Sequence, residues 1–233
     1  MTDDIATLKQ KAADLALEYV QSGMIVGLGS GSTATLAVRR IGERLRAGLL
    51  HDILGIPCSK QTEQEALRSG IPLTTLEEHP AIDLTIDGAD EVDPDLNLIK
   101  GGGGALLREK IVAQATRREI IIVDESKLSP VLGTHWAVPV EVTPFGWGSQ
   151  AAFLRSLGAQ ITLRLNKDGS VYQTDQANLI LDCNFGPIAD AAALANQLKT
   201  RAGIVEHGLF IGLASEVLVA GQYGFRRLIR PVI

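Results

Sequence analysis

The sequence predicts an α/β protein: a Rossmann-like, doubly wound and mostly parallel sheet, with a smaller ferredoxin-like α+β domain. Over residues 1–135, short apolar strands alternate with amphipathic helices, which is the pattern of parallel βαβ units. Over residues 136–207 the order changes to β-α-β-β-α-β, the ferredoxin-like arrangement. Residues 208–233 contain apolar runs that are expected to rejoin the first sheet.

The first domain begins with a predicted amphipathic helix over residues 4–21, where apolar side chains recur at helical spacing. Gly23 ends this helix, and Met24–Val26 is predicted to form a strand. After a glycine-rich turn, apolar side chains again recur at helical spacing from Ala34, which predicts a second helix. Further strands are predicted at 53–57, 73–76, 82–86 and 119–123, and further helices at 60–69 and 105–116.

The second domain contains six predicted elements and one clear turn. The elements are strands at 138–142, 160–165, 177–182 and 204–207, and helices at 149–157 and 188–198. The turn is Lys167-Asp168-Gly169, and it lies between the strands predicted at 160–165 and 177–182. No internal repeat or low-complexity segment interrupts either domain.

Composition and charge exclude several classes of protein. The chain has 233 residues, 45% of them hydrophobic and 21% charged, which is typical of a soluble globular protein. With a net charge of −5, the chain lacks the excess of basic residues that is typical of a nucleic-acid-binding protein. The first residues form no signal or transit peptide, and no apolar run reaches the roughly 20 residues of a spanning helix. A cytoplasmic or stromal protein without membrane partners is expected.

The cysteine and histidine residues give little support for a metal site. Cys58 and Cys183 lie far apart without C-x-x-C spacing, so both are interpreted as reduced packing residues. The four histidines are scattered without metal-ligand spacing, and they are interpreted as structural or surface residues.

The glycine-rich turn at residues 27–33, GLGSGST, predicts a phosphate site. A helix N-terminus presents unpaired N–H groups, and glycines let an anion approach the backbone closely. A simple capped βα turn remains an alternative. A dinucleotide site is disfavoured, because its fingerprint needs glycine where Ser32 stands and no acidic residue ends the next strand. The lysine motif of a P-loop is also missing.

The stretch Thr85–Lys110 concentrates residues of chemical interest. Asp87 follows a buried strand, at the sheet edge where α/β proteins bind ligands, and Asp90 lies three residues later. Lys100 precedes four consecutive glycines, and Glu109 lies in the following helix. Each residue alone has a structural explanation, such as a turn-forming aspartate or a solvated charge. Together with a glycine run of high backbone entropy cost, they favour a functional site.

These segments resemble one known family. The motifs GSGST at 29–33, DGADEVD at 87–93, KGGGGALLREK at 100–110 and DESK at 124–127 are similar to ribose-5-phosphate isomerase of the A type. The resemblance extends to VPVEV at 138–142 and GLF at 208–210. It implies a Rossmann-like domain with a smaller α+β domain, homodimers or homotetramers, and no metal or organic cofactor.

The resemblance also implies the reaction and the catalytic roles. The enzymes interconvert ribose 5-phosphate and ribulose 5-phosphate through an enediolate, in the non-oxidative pentose phosphate pathway and, in a photosynthetic source, the Calvin cycle. Glu109 is implied as the base and Lys100 as the cation that stabilises the enediolate. Asp87 and Asp90 are implied to hold sugar hydroxyls and to assist ring opening.

Substrate-binding residues are implied around the same motifs. The first group is the loop Ser30, Gly31, Ser32 and Thr33. The second is the acidic motif Asp87, Gly88, Ala89 and Asp90, and the third comprises Lys100, Gly101, Gly102 and Gly103. Lys127 is implied as a further binding lysine, and Lys9 as a lysine that contacts the phosphate. Lysines near a phosphate dianion are electrostatically reasonable.

The sequence departs from the family pattern at a few positions. Ser30 replaces a common threonine and keeps the hydroxyl, and Gly104 replaces a frequent alanine, which is expected to loosen the loop slightly. The segment Leu181–Phe185, LDCNF, leans towards the photosynthetic branch. None of these changes touches the implied chemistry.

Two other classes remain as alternatives. A sugar-phosphate sensor would be attached to a DNA-binding helix-turn-helix, for which the N-terminal 20 residues leave no room. An amino-sugar phosphate deaminase would carry a histidine near the second acidic motif, but none lies between His79 and His135. A coenzyme A transferase is a further enzymatic alternative. The carboxylate of Glu109 together with Lys100 favours the isomerase.

Overall fold

A computed structural model describes residues 5–222 and 224–230 of the chain. The chain divides into two compact units, each made of segments that are distant in sequence. The first unit comprises Met1–Ala89, Arg108–Leu128 and Gly212–Ile233, and the second comprises Asp90–Leu107 and Ser129–Ile211.

The secondary structure alternates through most of the chain. The helices are α1 (Ile5–Ala16), α2 (Ser32–Arg46), α3 (Lys60–Arg68), α4 (Leu106–Ala115), α5 (Trp147–Ser156) and α6 (Ala191–Lys199). The strands are β1 (Ile25–Leu28), β2 (Leu54–Pro57), β3 (Leu84–Asp87), β4 (Glu91–Val92), β5 (Leu98–Ile99), β6 (Glu119–Asp124), β7 (Val138–Val142), β8 (Gln160–Leu163), β9 (Leu179–Asn184), β10 (Ile204–His207), β11 (Leu209–Phe210), β12 (Glu216–Gly221) and β13 (Gly224–Ile229).

The first unit is built on a six-stranded sheet in the order β13-β12-β6-β3-β1-β2. Neighbouring strands are parallel except at one edge, where β13 pairs antiparallel with β12. Side chains of α1 and α2 pack on one face, and Val112 of α4 packs with Ile56 and Ile82 in a separate cluster. This is the predicted doubly wound, mostly parallel arrangement, and residues of 208–233 rejoin it as β12 and β13.

The second unit contains a four-stranded antiparallel sheet in the order β10-β7-β9-β8. Along the chain its elements run β7-α5-β8-β9-α6-β10, the predicted ferredoxin-like order. Helices α5 and α6 contribute Leu154 and Leu198 to a core that includes Val140 and Leu181 of the sheet.

Residues ahead of β7 also belong to this second unit. Strands β4 and β5 form a three-stranded antiparallel sheet with β11, which lies more than 100 residues further along the chain. The buried Glu91 carboxylate accepts hydrogen bonds from the backbone N–H groups of Gly133, Thr134, His135 and Trp136. The compact units therefore assign residues 90–107, 129–135 and 208–211 to the second unit, whereas the sequence predicted all three segments in the first.

Several predicted strands differ from the structure. Those at 82–86 and 177–182 begin two residues later, as β3 at Leu84 and β9 at Leu179. The strand at 73–76 is wrong, because only Leu73 makes an isolated bridge, to Gly55, before the chain turns at Thr75. The strand at 160–165 ends at Leu163, and Leu165 makes a separate bridge to Val171. The predicted helix at 4–21 is shorter than expected, since α1 gives way to a 3-10 turn at Leu17–Tyr19.

Glu141, in the middle of β7, predicts a pH-dependent stability. Burial raises the pKa of Glu141, and hydrogen bonds from Asn178 and Thr174 only partly oppose this effect. The folded state therefore holds this proton to a higher pH than the unfolded chain does. The contribution to stability is fully present below the unfolded pKa of about 4.3, and it is lost as the pH rises through the folded pKa.

We therefore expect Glu141→Gln, which cannot ionise, to gain stability relative to the wild type as the pH rises from about 4 to 8. Urea unfolding of both proteins at several pH values measures this difference. Parallel stability profiles of variant and wild type would contradict the assignment.

Within the described residues, no helix has both the length and the apolar character needed to cross a membrane.

Candidate active site

In the first unit, Asp87 connects the turns that follow β1 and β3. One oxygen of its carboxylate, Oδ1, accepts hydrogen bonds from the backbone N–H groups of Ser30, at 2.9 Å, and Gly88, at 2.7 Å. Gly29 permits this approach, because a Cβ at residue 29 would lie 2.5 Å from the Asp87 Cα. Asp87 itself is buried, with 1% of its surface exposed. The first βα turn and the acidic motif are therefore joined at one sheet edge.

The predicted phosphate loop opens helix α2. Gly31 precedes the helix at a φ of 90°, a conformation that favours glycine, and Ser32 begins it. The N–H groups at this end of a 15-residue helix are suited to an anion. Lys9 of α1 lies here as well, because its Nζ donates to the Ser32 hydroxyl at 3.0 Å. Thr33 is half-buried in the same first turn.

Cys58, Asp87 and Glu109 come together at the sheet edge where Asp87 accepts from Ser30. One ligand-type atom from each residue, a sulfur and two carboxylate oxygens, lies within 4.8 Å of the other two. All three residues are buried, and Glu109 is 6% exposed in the first turn of α4. The two carboxylates that the sequence identified separately therefore lie side by side, with a thiol as their neighbour.

This trio also forms the one cluster of three metal-ligand groups found among the described residues. Thiolate sulfur and carboxylate oxygen are both ligands that Zn²⁺ accepts. The chemistry implied for the site uses the same carboxylates to hold substrate and to move protons.

In the second unit, Asp90 and the glycine loop are in direct contact. The N–H of Gly102 donates to Asp90 Oδ2 at 2.7 Å, and the Asp90 N–H donates to the Ile99 carbonyl at 2.8 Å. The loop turns back at once, since the Gly104 N–H donates to the Gly101 carbonyl at 2.9 Å. The pairing of β4 with β5 therefore brings the loop, which begins two residues after β5, next to Asp90.

Lys100, immediately before the loop, is almost fully enclosed. Only 2% of its surface is exposed, and its Nζ lies 5.5 Å from the centroid of the Phe210 ring. Its backbone N–H donates to the Gly208 carbonyl at 2.9 Å. Close packing of the chain at Gly208 requires glycine, because a Cβ there would lie 2.2 Å from the Lys100 carbonyl oxygen.

The comparisons with known proteins identify the family. A model of the family described as "Ribose 5-phosphate isomerase A (phosphoriboisomerase A)" matches residues 54–224. The chain belongs to the ribose 5-phosphate isomerase A family. A relative of that name from Desulfatibacillum aliphaticivorans is 59% identical over 221 residues, which cover 95% of this chain and 96% of the relative.

Solved structures of the family have the same fold. A D-ribose-5-phosphate isomerase in complex with phospho-erythronic acid matches with a TM-score of 0.96 and 38% identity, covering 98% of this chain and 100% of that one. The enzyme from Plasmodium falciparum matches with a TM-score of 0.94 and 42% identity, covering 97% and 100%. The predicted family and fold class are confirmed.

The predicted site residues are divided between the two compact units. Those in the first unit are Lys9, Ser30, Gly31, Ser32, Thr33, Asp87, Gly88, Ala89, Glu109 and Lys127. Those in the second are Asp90, Lys100, Gly101, Gly102 and Gly103. Lys127 is half-buried at the end of a short 3-10 helix after β6, at the same sheet edge as Asp87.

Two features of the site were missed from the sequence. Cys58 was interpreted only as a packing residue, although its place directly after β2 puts it at the sheet edge that carries Asp87. The close approach of Gly104 to Tyr172 is the second feature, since φ at Gly104 is 84° and a Cβ would lie 2.1 Å from the Tyr172 hydroxyl. An alanine here would therefore strain the backbone and require the Tyr172 side chain to shift.

Proposed function

We propose that this protein interconverts D-ribose 5-phosphate and D-ribulose 5-phosphate in the non-oxidative pentose phosphate pathway. The observation that carries the proposal is the meeting of the Asp87 and Glu109 carboxylates in a member of this family. A sugar-phosphate sensor needs no such pair, and neither a deaminase nor a coenzyme A transferase shares the family to which the chain belongs.

Glu109 acts as the base in this proposal. Its carboxylate removes the proton from C2 of the open-chain aldose, which gives an enediolate, and returns the proton to C1. A positioned base contributes typically ~10²–10⁴-fold, so a second source of stabilisation is needed for so weak a carbon acid. Lys100 and the N–H groups of Gly101 and Gly103 provide it by stabilising the negative oxygen, each donor contributing roughly 10²–10³-fold. The N–H of Gly102, in the same loop, instead donates to Asp90.

Asp87 and Asp90 hold sugar hydroxyls and assist ring opening. Asp87 uses Oδ1 to accept two backbone N–H groups, so its carboxylate is held in a fixed orientation. Asp90 is likewise oriented by the Gly102 N–H. Carboxylates that are oriented by the backbone can accept hydrogen bonds from hydroxyls without first reorganising.

The phosphate group is bound by the loop Ser30–Thr33, with Lys9 and Lys127 as cations. The contact of Lys9 with Ser32 supports this assignment, because it brings a positive charge to the N-terminus of α2. One solved relative is a complex with phospho-erythronic acid. Because that ligand carries both a phosphate and a carboxylate, we expect it to compete with ribose 5-phosphate for this site.

The protein is further proposed to act in the cytoplasm as a homodimer or homotetramer, without a metal or organic cofactor, nucleic acid or membrane partner. Light scattering of the purified protein measures the number of subunits directly.

An assay of purified protein with ribose 5-phosphate in EDTA tests the proposed reaction. Formation of ribulose 5-phosphate is expected, and EDTA keeps divalent ions away from the cluster of Cys58, Asp87 and Glu109. The Glu109→Gln variant, purified in parallel, controls for contaminating isomerase. Absence of ribulose 5-phosphate with the wild-type protein would overturn the proposal.

A further inference from the structure

The glycine loop after Lys100 is held by an arginine that the implied chemistry does not include. Arg164 follows strand β8, and its Nη1 donates to the carbonyl oxygens of Gly101, at 2.8 Å, and Gly102, at 3.2 Å. Its side chain is 14% exposed. All of these groups belong to the second unit.

A carboxylate keeps the guanidinium in place. Asp182 of β9 pairs with both Nε, at 2.9 Å, and Nη2 of Arg164. The pairing is bidentate, which fixes the plane and the direction of the guanidinium. Asp182 lies opposite Thr162 in the β8–β9 register, so the two strands determine where Nη1 points. This carboxylate belongs to the LDCNF segment for which the sequence offered no role.

Tyr172 holds the next peptide group of the loop. Its hydroxyl donates to the Gly103 carbonyl at 3.3 Å, and the guanidinium of Arg164 lies 5.9 Å from the centre of its ring. Burial raises the pKa of Tyr172, so its hydroxyl keeps the proton that it donates. Three successive carbonyl oxygens of the loop are therefore each held by a side chain from the segment between β8 and β9.

Hydrogen bonds that fix these carbonyl oxygens also fix the direction of N–H groups in the loop. The carbonyl of one residue and the N–H of the next lie in one rigid peptide plane. The Gly101 and Gly102 carbonyls thus share planes with the N–H groups of Gly102 and Gly103. The first of these donates to Asp90, and the second meets no acceptor among the described residues. A cation at the carbonyl end orients each plane and polarises its N–H.

We propose that Arg164, oriented by Asp182, is a positioning residue that aims the Gly102 N–H at the Asp90 carboxylate and the Gly103 N–H at the substrate. The inference rests on the proposed function, in which the Gly103 N–H serves a substrate oxygen and Asp90 holds a sugar hydroxyl. Donors that stabilise charge developing along the reaction path raise kcat more than they lower KM. The loss of Arg164 is therefore a loss of kcat.

The test compares Arg164→Met with Arg201→Met. Arg201 is a matched control, because in the same unit it donates to Gln150 and Ser149 and contacts the Phe153 ring, away from the loop. We expect kcat to fall by ~10–100-fold in Arg164→Met, with KM changed by less than about 3-fold, and to stay within about 2-fold in Arg201→Met. Arg164→Lys is expected to lower kcat by less than Arg164→Met does. It keeps the positive charge, but one ammonium group cannot pair with Asp182 and also reach both carbonyl oxygens.

Hydrogen exchange provides a readout that does not depend on activity. Mass spectrometry of the peptide covering residues 98–106 is expected to show faster amide exchange in Arg164→Met and Arg164→Lys, but not in Arg201→Met. Wild-type exchange in this peptide, or an unchanged kcat in Arg164→Lys, would overturn the proposal. A wild-type protein without isomerase activity would instead overturn the proposed function, and the exchange data would still show whether Arg164 orders the loop.

Discussion

Glu109→Gln is expected to lower kcat by ~10²–10⁴-fold while leaving substrate affinity within a few-fold of the wild type. The amide has nearly the same shape as the carboxylate but cannot take a proton from carbon. Glu109 lies in the first turn of α4 and is 6% exposed, so an isosteric change preserves the helix and its packing.

Proton exchange is the most direct measurement of this loss. The wild-type protein in D₂O should incorporate deuterium at the carbon that gains the proton, and Glu109→Gln should not. Calorimetric titration of the inactive variant with ribose 5-phosphate measures binding separately. Exchange at a near wild-type rate in Glu109→Gln would mean that another group is the base.

Glu119→Gln is the matched control for this variant. Glu119 is a buried carboxylate of the same unit, with 1% of its surface exposed. It is the first residue of β6, at the amino end of that strand. Since β6 runs parallel to β3, Glu119 lies at the sheet edge opposite to Asp87. Its substitution should leave kcat within about 3-fold, whatever it does to stability.

The central sheet was largely predictable from the sequence, because its strands are short apolar runs bounded by glycine or polar residues. The predicted strand at 119–123 became Glu119–Asp124, and that at 53–57 became Leu54–Pro57. Asp87 could be assigned to the carboxyl edge of the sheet for the same reason. A local pattern suffices where each strand carries its own apolar signal.

The three-stranded sheet and the support of the loop were not predictable in this way. Strands β4, β5 and β11 have two residues each, too few for any periodicity, and β11 comes from a distant part of the chain. Arg164 and Cys58 have no motif of their own, and their roles follow from which strands become neighbours. A pattern read along the chain does not report contacts made across it.

Lys100→Met is expected to lower kcat by roughly 10²–10³-fold, with KM changed by only a few-fold. Methionine keeps an unbranched apolar stem of similar length beside Phe210, so the packing of this enclosed side chain is preserved. The lost ammonium would have stabilised a negative charge that exists only along the reaction path. Steady-state kinetics with ribose 5-phosphate, with Lys199→Met of α6 as an exposed control, measure the separate changes.

Whether the loss of activity in Lys100→Met appears in kcat or in KM distinguishes two roles for Lys100. A cation that only bound the sugar phosphate would interact with substrate and enediolate alike, and its removal would raise KM while leaving kcat unchanged. A loss confined to KM would therefore assign Lys100 to ground-state binding. With 2% exposure, Lys100 interacts with charge in surroundings of low dielectric, where stabilising a developing oxyanion is worth far more than it is in water. We therefore expect the loss to appear in kcat.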